Sequence, residues 1–501
     1  MLTGACAGLV WASGAFPSQD GPSHSYNAWI LLQYGLDTNV YSQFYDVSLQ
    51  PTTNWLGGIL LTALGQLAPM PIAEKILITL TLVLFVSGGA MLLGGDREDL
   101  PPVALILPAL AFNYPLHMGF FSFCLGLALV PWAWTLAGRS IRSSGWQVPV
   151  ALGMVVLMAY LAHLVAALMA LAGVFVIGGS SVLRERRFRR FRYGFLAVLP
   201  TVCLLASYLS RMPKDSAVFW EMDTLVENLV TLRSIASYIG PQEWIAMGIG
   251  ACILFLALFQ AWNRAPGQRI WWVLAALGVL LYAALPDGSQ GHWFLSERLS
   301  LLPWLALLPL CHVVRARNLQ IALFGGLCAA FLVTAGLHQT PLDKELQSLD
   351  SLASHVEPDS MMVSLSFNRR APAPARARVF LHAVDRIAVA RNAIDIGNYE
   401  AQTNHFQTRI KPMMRWPNYN QLEGAAEQVN PELLFGSARY VLTVDLDTHA
   451  PDYRGQLETF YGEIRHSGRF RLFKRHAQRL DSTPPSLPEP SDAGSAPPET
   501  K

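Results

Sequence analysis

Apolar residues fall into twelve long runs, at 2–16, 54–70, 76–95, 101–115, 117–138, 147–162, 164–183, 194–210, 244–262, 270–285, 298–314 and 319–337. A helix needs about 20 such residues to cross the hydrocarbon core of a bilayer, and most of these runs approach that length. Beyond 337 the pattern changes. Leu at helical spacing in "LDKELQSLDSLASHV" predicts a helix, and "SMMVSLSF" and "ARYVLTVDL" predict strands. "YRGQLETFYGEI" then reads as a helix and "RFRLFKR" as an edge strand. The chain thus divides into a multi-spanning membrane domain over 1–337 with an outer loop at 17–53, an α/β domain over 338–478, and a Pro- and Ser-rich tail over 479–501 expected to be disordered.

The polar segments between the runs orient them, because Lys and Arg concentrate in cytoplasmic loops. "RERRFRRFR" at 184–192 is the strongest marker, and "RSIR" (139–142), "NRAPGQR" (263–269) and "RARN" (315–318) are also basic. Alternating spans place all four on one side, provided 147–183 forms two helices that turn near His163. Counting backward, a crossing at 54–70 would put 17–53 in the cytoplasm, yet that loop holds three Asp and no Lys or Arg. The conflict disappears if 54–70 dips into the membrane and returns, which is allowed for a half-helix buried in protein. The expectation is therefore a polytopic α-helical membrane protein of eleven spans plus one re-entrant helix, with the N-terminus cytoplasmic and the α/β domain extracytoplasmic. Residues 2–16 lack the positive flank of a signal peptide and read as a first membrane helix. That run is short for a span, which leaves room for a longer N-terminus.

Composition agrees with this division. Charged residues are 14% of the chain against 52% hydrophobic, and the net charge of +2 points to no nucleic-acid partner. The six cysteines all lie in apolar runs with no C-x-x-C, so neither a zinc site nor a disulfide framework is expected. The spans carry almost no ionisable residues, which argues against an ion-coupled transporter.

In this topology the polar chemistry gathers on the outer face. "FPSQDGPSHSYNAW" (16–29) carries Asp20 and His24, and the same loop carries Asp37 and Asp46. The hairpin "FNYPLHMGF" (112–120) adds Asn113 and His117, and "PDGSQGHWFLSER" (286–298) adds Asp287, His292, Glu297 and Arg298. Two readings of Asp20 stand side by side. One is a turn or capping residue before a helix starting near Ser23. The other is a general base that takes the proton of an attacking hydroxyl. Arg298 reads either as an interface anchor or as a phosphate clamp, since guanidinium offers a planar fork of donors to phosphate oxygens. His24, Asn113, His117, Asp287, His292 and Glu297 are the accompanying candidates for substrate binding.

One helix, an acidic outer loop, an apolar dipping helix, many spans and an outer α/β domain: this order resembles the GT-C class of multi-spanning glycosyltransferases. "PSQDGPSHSYNAW" and "NWLGGILLTALGQLAPMPIAEKILI" carry the resemblance, which covers roughly the first 340 residues. A similar "QDGP-x-H" opening, with "GNYEA" further on (here Gly397–Ala401), occurs in uncharacterised bacterial membrane proteins. The resemblance implies a polyprenyl-phosphate-linked sugar as donor and Asp20 as catalytic base; inversion at the sugar carbon would follow from direct displacement. The acceptor would be a glycan, lipid or protein, and the location the inner membrane of a bacterium. Two departures stand out. "QPTTNW" replaces the family's "PP" before the dipping helix, and the hairpin at 112–120 lacks the second acidic residue of many members. No cofactor is certain; a divalent metal stays open but is not supported by a second outer-face carboxylate. The alternatives are a non-catalytic scaffold of a cell-envelope polysaccharide assembly and, further off, a transporter.

Overall fold

The helix Phe121–Arg142 is the hub of the membrane part. It packs against Met70–Gly94, Gln147–Ala162 and Leu164–Glu185, and 78% of its apolar window is buried, against 22% for the peripheral Arg192–Ser210. Peripheral helices turn Leu196, Phe255, Leu258 and Trp262 outward. An apolar face that broad loses roughly 25 cal/mol per Å² if left in water, so lipid is its natural surrounding. The computed structural model describes residues 1–477 apart from 37–39, 96–98, 144, 186–187, 212–217, 220–226, 230, 263–267, 286, 290–293, 313–315, 404–405, 413 and 415.

Among the described residues six helices are long and apolar enough to cross a membrane: Met70–Gly94, Phe121–Arg142, Leu164–Ser181, Arg192–Ser210, Pro241–Trp262 and Arg317–His355. Five apolar segments are shorter: Leu2–Ala12, Trp55–Gly65, Pro102–His117, Gln147–Ala162 and Arg269–Ala284. The turn expected near His163 is present, with one helix ending at Ala162 and the next starting at Leu164. The runs at 101–115 and 298–314 are not single helices. Each breaks into short turns, Pro102–Ile106 and Leu107–Ala111 in the first, Leu301–Leu307 and Leu308–Cys311 in the second. Each break falls just before a proline, Pro108 or Pro309, which lacks the amide that would continue the ladder. The run at 319–337, in contrast, continues without interruption as Arg317–Asp350 across the expected boundary at 337.

The C-terminal part holds a five-stranded sheet in the order Ile394–Asp395, Met361–Ser366, Tyr440–Val444, Phe470–Arg475, Tyr461–Ser467. The first three are parallel and the last two antiparallel. Tyr440–Val444 is buried at every position, as a central strand covered on both faces must be. Two expectations are corrected. "RFRLFKR" is not an edge, since it pairs on both sides, and the edge on that side of the sheet is Tyr461–Ser467. The predicted helix over 453–464 stops at Glu458, and its last residues belong to that edge strand.

The loop at 17–53 lies against this domain. After α1 (Leu2–Ala12) comes α2 (Gly21–Gln33), and Tyr45–Val47 pairs antiparallel with Thr408–Ile410. The hydroxyl of Tyr26 donates to the Ala393 carbonyl and accepts from the Asp395 amide, while that of Tyr45 donates to the Asp395 carbonyl. The side-chain amides of Asn27 and Asn398 bond reciprocally at 3.1 and 3.0 Å. The next helix, α3 (Trp55–Gly65), starts after Asn54 in the left-handed region (φ 62°), a conformation asparagine tolerates better than most residues.

Candidate active site at the Asp20 loop

Helix α2 starts at Gly21, two residues before the expected cap Ser23, with Pro22 in its first turn. Proline's fixed φ suits that position. Asp20 occupies the N-cap position, yet its side chain makes no bond to the helix amides. The backbone does the holding. The Gln19 and Asp20 amides donate to the His117 and Met118 carbonyls at 3.0 and 3.1 Å, and the Asp20 carbonyl accepts the first helical bond from His24. This clasp requires Gly119, whose φ is +83° and where a Cβ would stand 2.4 Å from the Gly21 nitrogen.

The Asp20 side chain is only 12% exposed. Its Oδ1 accepts from Gln19 Nε2 at 3.1 Å and lies 3.4 Å from His382 Nε2. Among the described residues no hydrogen bond is made to Oδ2. His382 stacks on Tyr399 at 4.5 Å between ring centres, and its Nδ1 is 3.7 Å from Glu423. Burial opposes charge on His382, but Glu423, Asp20 and Asp395 outweigh it and hold its proton above the usual histidine range. Burial also pushes the Glu423 carboxyl up to about 7, against the pull of His382 and Arg378.

His24, one turn along α2, meets Glu400 at 2.7 Å, with the rings of Phe121 and Phe406 each 5.8 Å away. Burial works against the imidazolium here too, but Glu400 overrides it and raises His24. Together with Asn54, Gly58 and Gln407 the pair lines a narrow cleft of about 20 Å³ beside α3, room for one water.

The remaining candidates are placed as follows. Arg298 stacks on Phe120 at 4.1 Å and approaches His163 Nε2 at 3.4 Å. Its Nε is buried with no hydrogen-bond partner among the described residues, and the charges of Asp20 and Glu297 reach it. Glu297 is buried and accepts from Ser296 Oγ at 2.9 Å. Asn113, His117 and Asp287 have structural work. Asn113 accepts from the Leu116 amide and donates to the Leu110 carbonyl. His117 is buried against Phe16, Phe112 and Tyr238 with Ser237 on its Nδ1. Asp287 takes the Ser296 amide. His292 and Asp37 lie outside the described residues, and Asp46 is an exposed strand residue opposite Arg409.

Sequence reasoning missed His382 and Glu423. It noticed "GNYEA" without a role for it, and three of those residues reach the loop: Asn398 meets Asn27, Tyr399 carries His382, and Glu400 meets His24. Among the described residues no three His, Cys, Asp or Glu side chains are grouped to hold a metal ion.

No family model matches the chain, and no curated protein does. Two crystal structures are similar to it over nearly their whole length. One is ArnT from Cupriavidus metallidurans in the apo state, at 11% identity and a TM-score of 0.47, covering 94% of this chain and 97% of that one. The other is ArnT from Cupriavidus metallidurans bound to undecaprenyl phosphate, at 11% identity and a TM-score of 0.40, covering 95% and 98%.

Proposed function

We propose that the chain is a GT-C-like glycosyltransferase that moves a sugar from a polyprenyl-phosphate carrier to an acceptor hydroxyl at the outer face of a bacterial inner membrane. The observation that carries this reading is the Asp20 carboxylate, which sits at a helix start without capping it and keeps Oδ2 free of hydrogen bonds among the described residues. The topology proposed with it is eleven crossings, with the C-terminal domain outside and α3 re-entrant. The 11 residues of α3 extend about 16 Å, half a hydrocarbon core.

The chemistry is a direct displacement. As the acceptor oxygen bonds to the anomeric carbon, its proton passes to Asp20 Oδ2. The carbon–oxygen bond to phosphate breaks, its electron pair leaves on the polyprenyl phosphate, and the sugar carbon inverts. Arg298, with a buried Nε in want of an acceptor, suits the phosphate that gathers charge as it leaves. Phe120 beneath its guanidinium holds the fork in place.

The test uses the detergent-purified full chain with a panel of polyprenyl-monophosphate sugars, following release of polyprenyl phosphate. Asp20→Asn should lower the rate by about 10²-fold or more while leaving the thermal midpoint near that of the wild type. An Asp20→Asn protein that keeps the wild-type rate overturns the mechanism.

A further inference from the structure

Asp20, Gln19, Arg378, His382 and Glu423 close into a ring. Gln19 Nε2 donates to Asp20 Oδ1 at 3.1 Å, and Gln19 Oε1 accepts from the Arg378 amide at 3.0 Å. The Arg378 guanidinium donates to the Glu423 carbonyl at 2.8 Å. The Glu423 carboxylate faces His382 Nδ1 at 3.7 Å, and His382 Nε2 returns to Asp20 Oδ1 at 3.4 Å. Two of the five come from the outer loop and three from the C-terminal domain, some 360 residues away. Stacking on Tyr399 fixes the plane of the imidazole, so both its nitrogens are aimed.

We infer that His382 and Glu423 are positioning residues of the Asp20 site: through a carboxylate–imidazole–carboxylate array the C-terminal domain fixes Oδ1 and leaves Oδ2 facing the acceptor. The inference rests on Asp20 being the base. A carboxylate held by one oxygen keeps the other at a constant angle, which is what a general base needs to meet a hydroxyl proton. An imidazole whose second nitrogen is held by a carboxylate keeps its orientation and tautomer. The array also explains why Asp20 fails to cap its own helix. The Oδ1 that could have accepted from the helix amides accepts instead from Gln19 and faces His382 of the C-terminal domain. Other charged groups face it from each side. Asp395 acts on His382 from its strand, and Arg378 and His382 act on Glu423. From the membrane side the charges of Asp20 and Glu297 reach Arg298.

The array is testable without knowing the sugar. The full chain is labelled with ring-¹⁵N histidine in micelles, and the His382 signal is identified by its loss in His382→Asn. Wild-type His382 should titrate above an ordinary histidine, near 6.5. Asp20→Asn and Glu423→Gln should each lower its midpoint by about one unit. Should Glu423→Gln fail to fold, Glu423→Asp, which keeps the charge but retracts it, should give a smaller fall. A midpoint unmoved by loss of either carboxylate overturns the array. The donor assay above separates the two ideas. If Asp20→Asn abolishes transfer but the midpoint does not move, the base stands and the array falls. If the midpoint moves but Asp20→Asn still transfers sugar, the array stands and the base falls.

Discussion

At the scale of single residues, the site turns on which polar groups are already occupied. Asn113 has both ends of its amide in backbone bonds, so it has little left for a ligand. Asp20 has one oxygen held and one open, and Arg298 has a buried donor unmet among the described residues. Hydrogen bonds to buried groups are worth little net but are costly to leave unmade, and in the proposed reaction these two open valences are the ones that acceptor and phosphate would fill. His24 is the opposite case. Its bond to the 2%-exposed Glu400 side chain neutralises a carboxylate that could not remain buried alone. His24→Ala should therefore destabilise the protein by about 3 kcal/mol, read as a shift in the midpoint of detergent-induced unfolding. On the proposed mechanism His382→Asn should lower kcat with KM nearly unchanged, because there His382 positions Asp20 and does not touch the substrate. Steady-state kinetics with the active donor checks the split.

Elements position these residues by close backbone approach. The hairpin at 112–120 offers no acid; its contribution is two carbonyls, from His117 and Met118, that pin Gln19 and Asp20. Gly119 permits that contact, and Gly119→Ala would force a left-handed alanine and a clash with the Gly21 backbone. A loss of about 1–3 kcal/mol and a displaced Asp20 should follow, seen as a lower thermal midpoint and a reduced transfer rate. The Asn27–Asn398 pair fastens α2 to the C-terminal domain. Removing one partner leaves the other short of a bond, with Asn27 keeping Ser23 and Thr408 and Asn398 keeping the Ala401 amide. Asn27→Ala and Asn398→Ala should each cost about 1–3 kcal/mol, and the double variant much less than their sum, as a double-mutant cycle on the unfolding midpoint would show. The sequence marked α2, α3 and the strands Met361–Ser366, Tyr440–Val444 and Phe470–Arg475 because helical and apolar patterns are local. It misplaced the edge of the sheet, because it read 453–464 as one helix and so missed the strand Tyr461–Ser467 that pairs outside "RFRLFKR".

On the scale of the whole molecule, the loop and the C-terminal domain are joined through groups that hold protons more tightly than usual. For such groups, stability is fully present below the unfolded pKa and is lost as pH rises through the folded one. Glu423, ordinarily at 4.5, is raised to about 7, and His24 and His382 are raised above 6.5. The thermal midpoint should thus fall as pH climbs from about 5 to 8. The Glu423→Gln variant should flatten the lower part of that fall, and His24→Gln and His382→Gln the upper part. Differential scanning fluorimetry across that range decides it.

By itself the sequence determined the medium and the succession of apolar helices followed by a C-terminal sheet. Runs of membrane length, basic loops on alternate turns and the return of charge after 337 follow from desolvation, which acts on each residue where it stands. It also singled out Asp20, through an acidic loop that fitted no cytoplasmic position. Only the tertiary structure decided what surrounds that carboxylate. The second acid sought at the hairpin is absent there, and Glu423, Glu400 and His382 arrive instead from the C-terminal domain. Their approach depends on the packing of the domain against α2, and no local period records a contact across 360 residues.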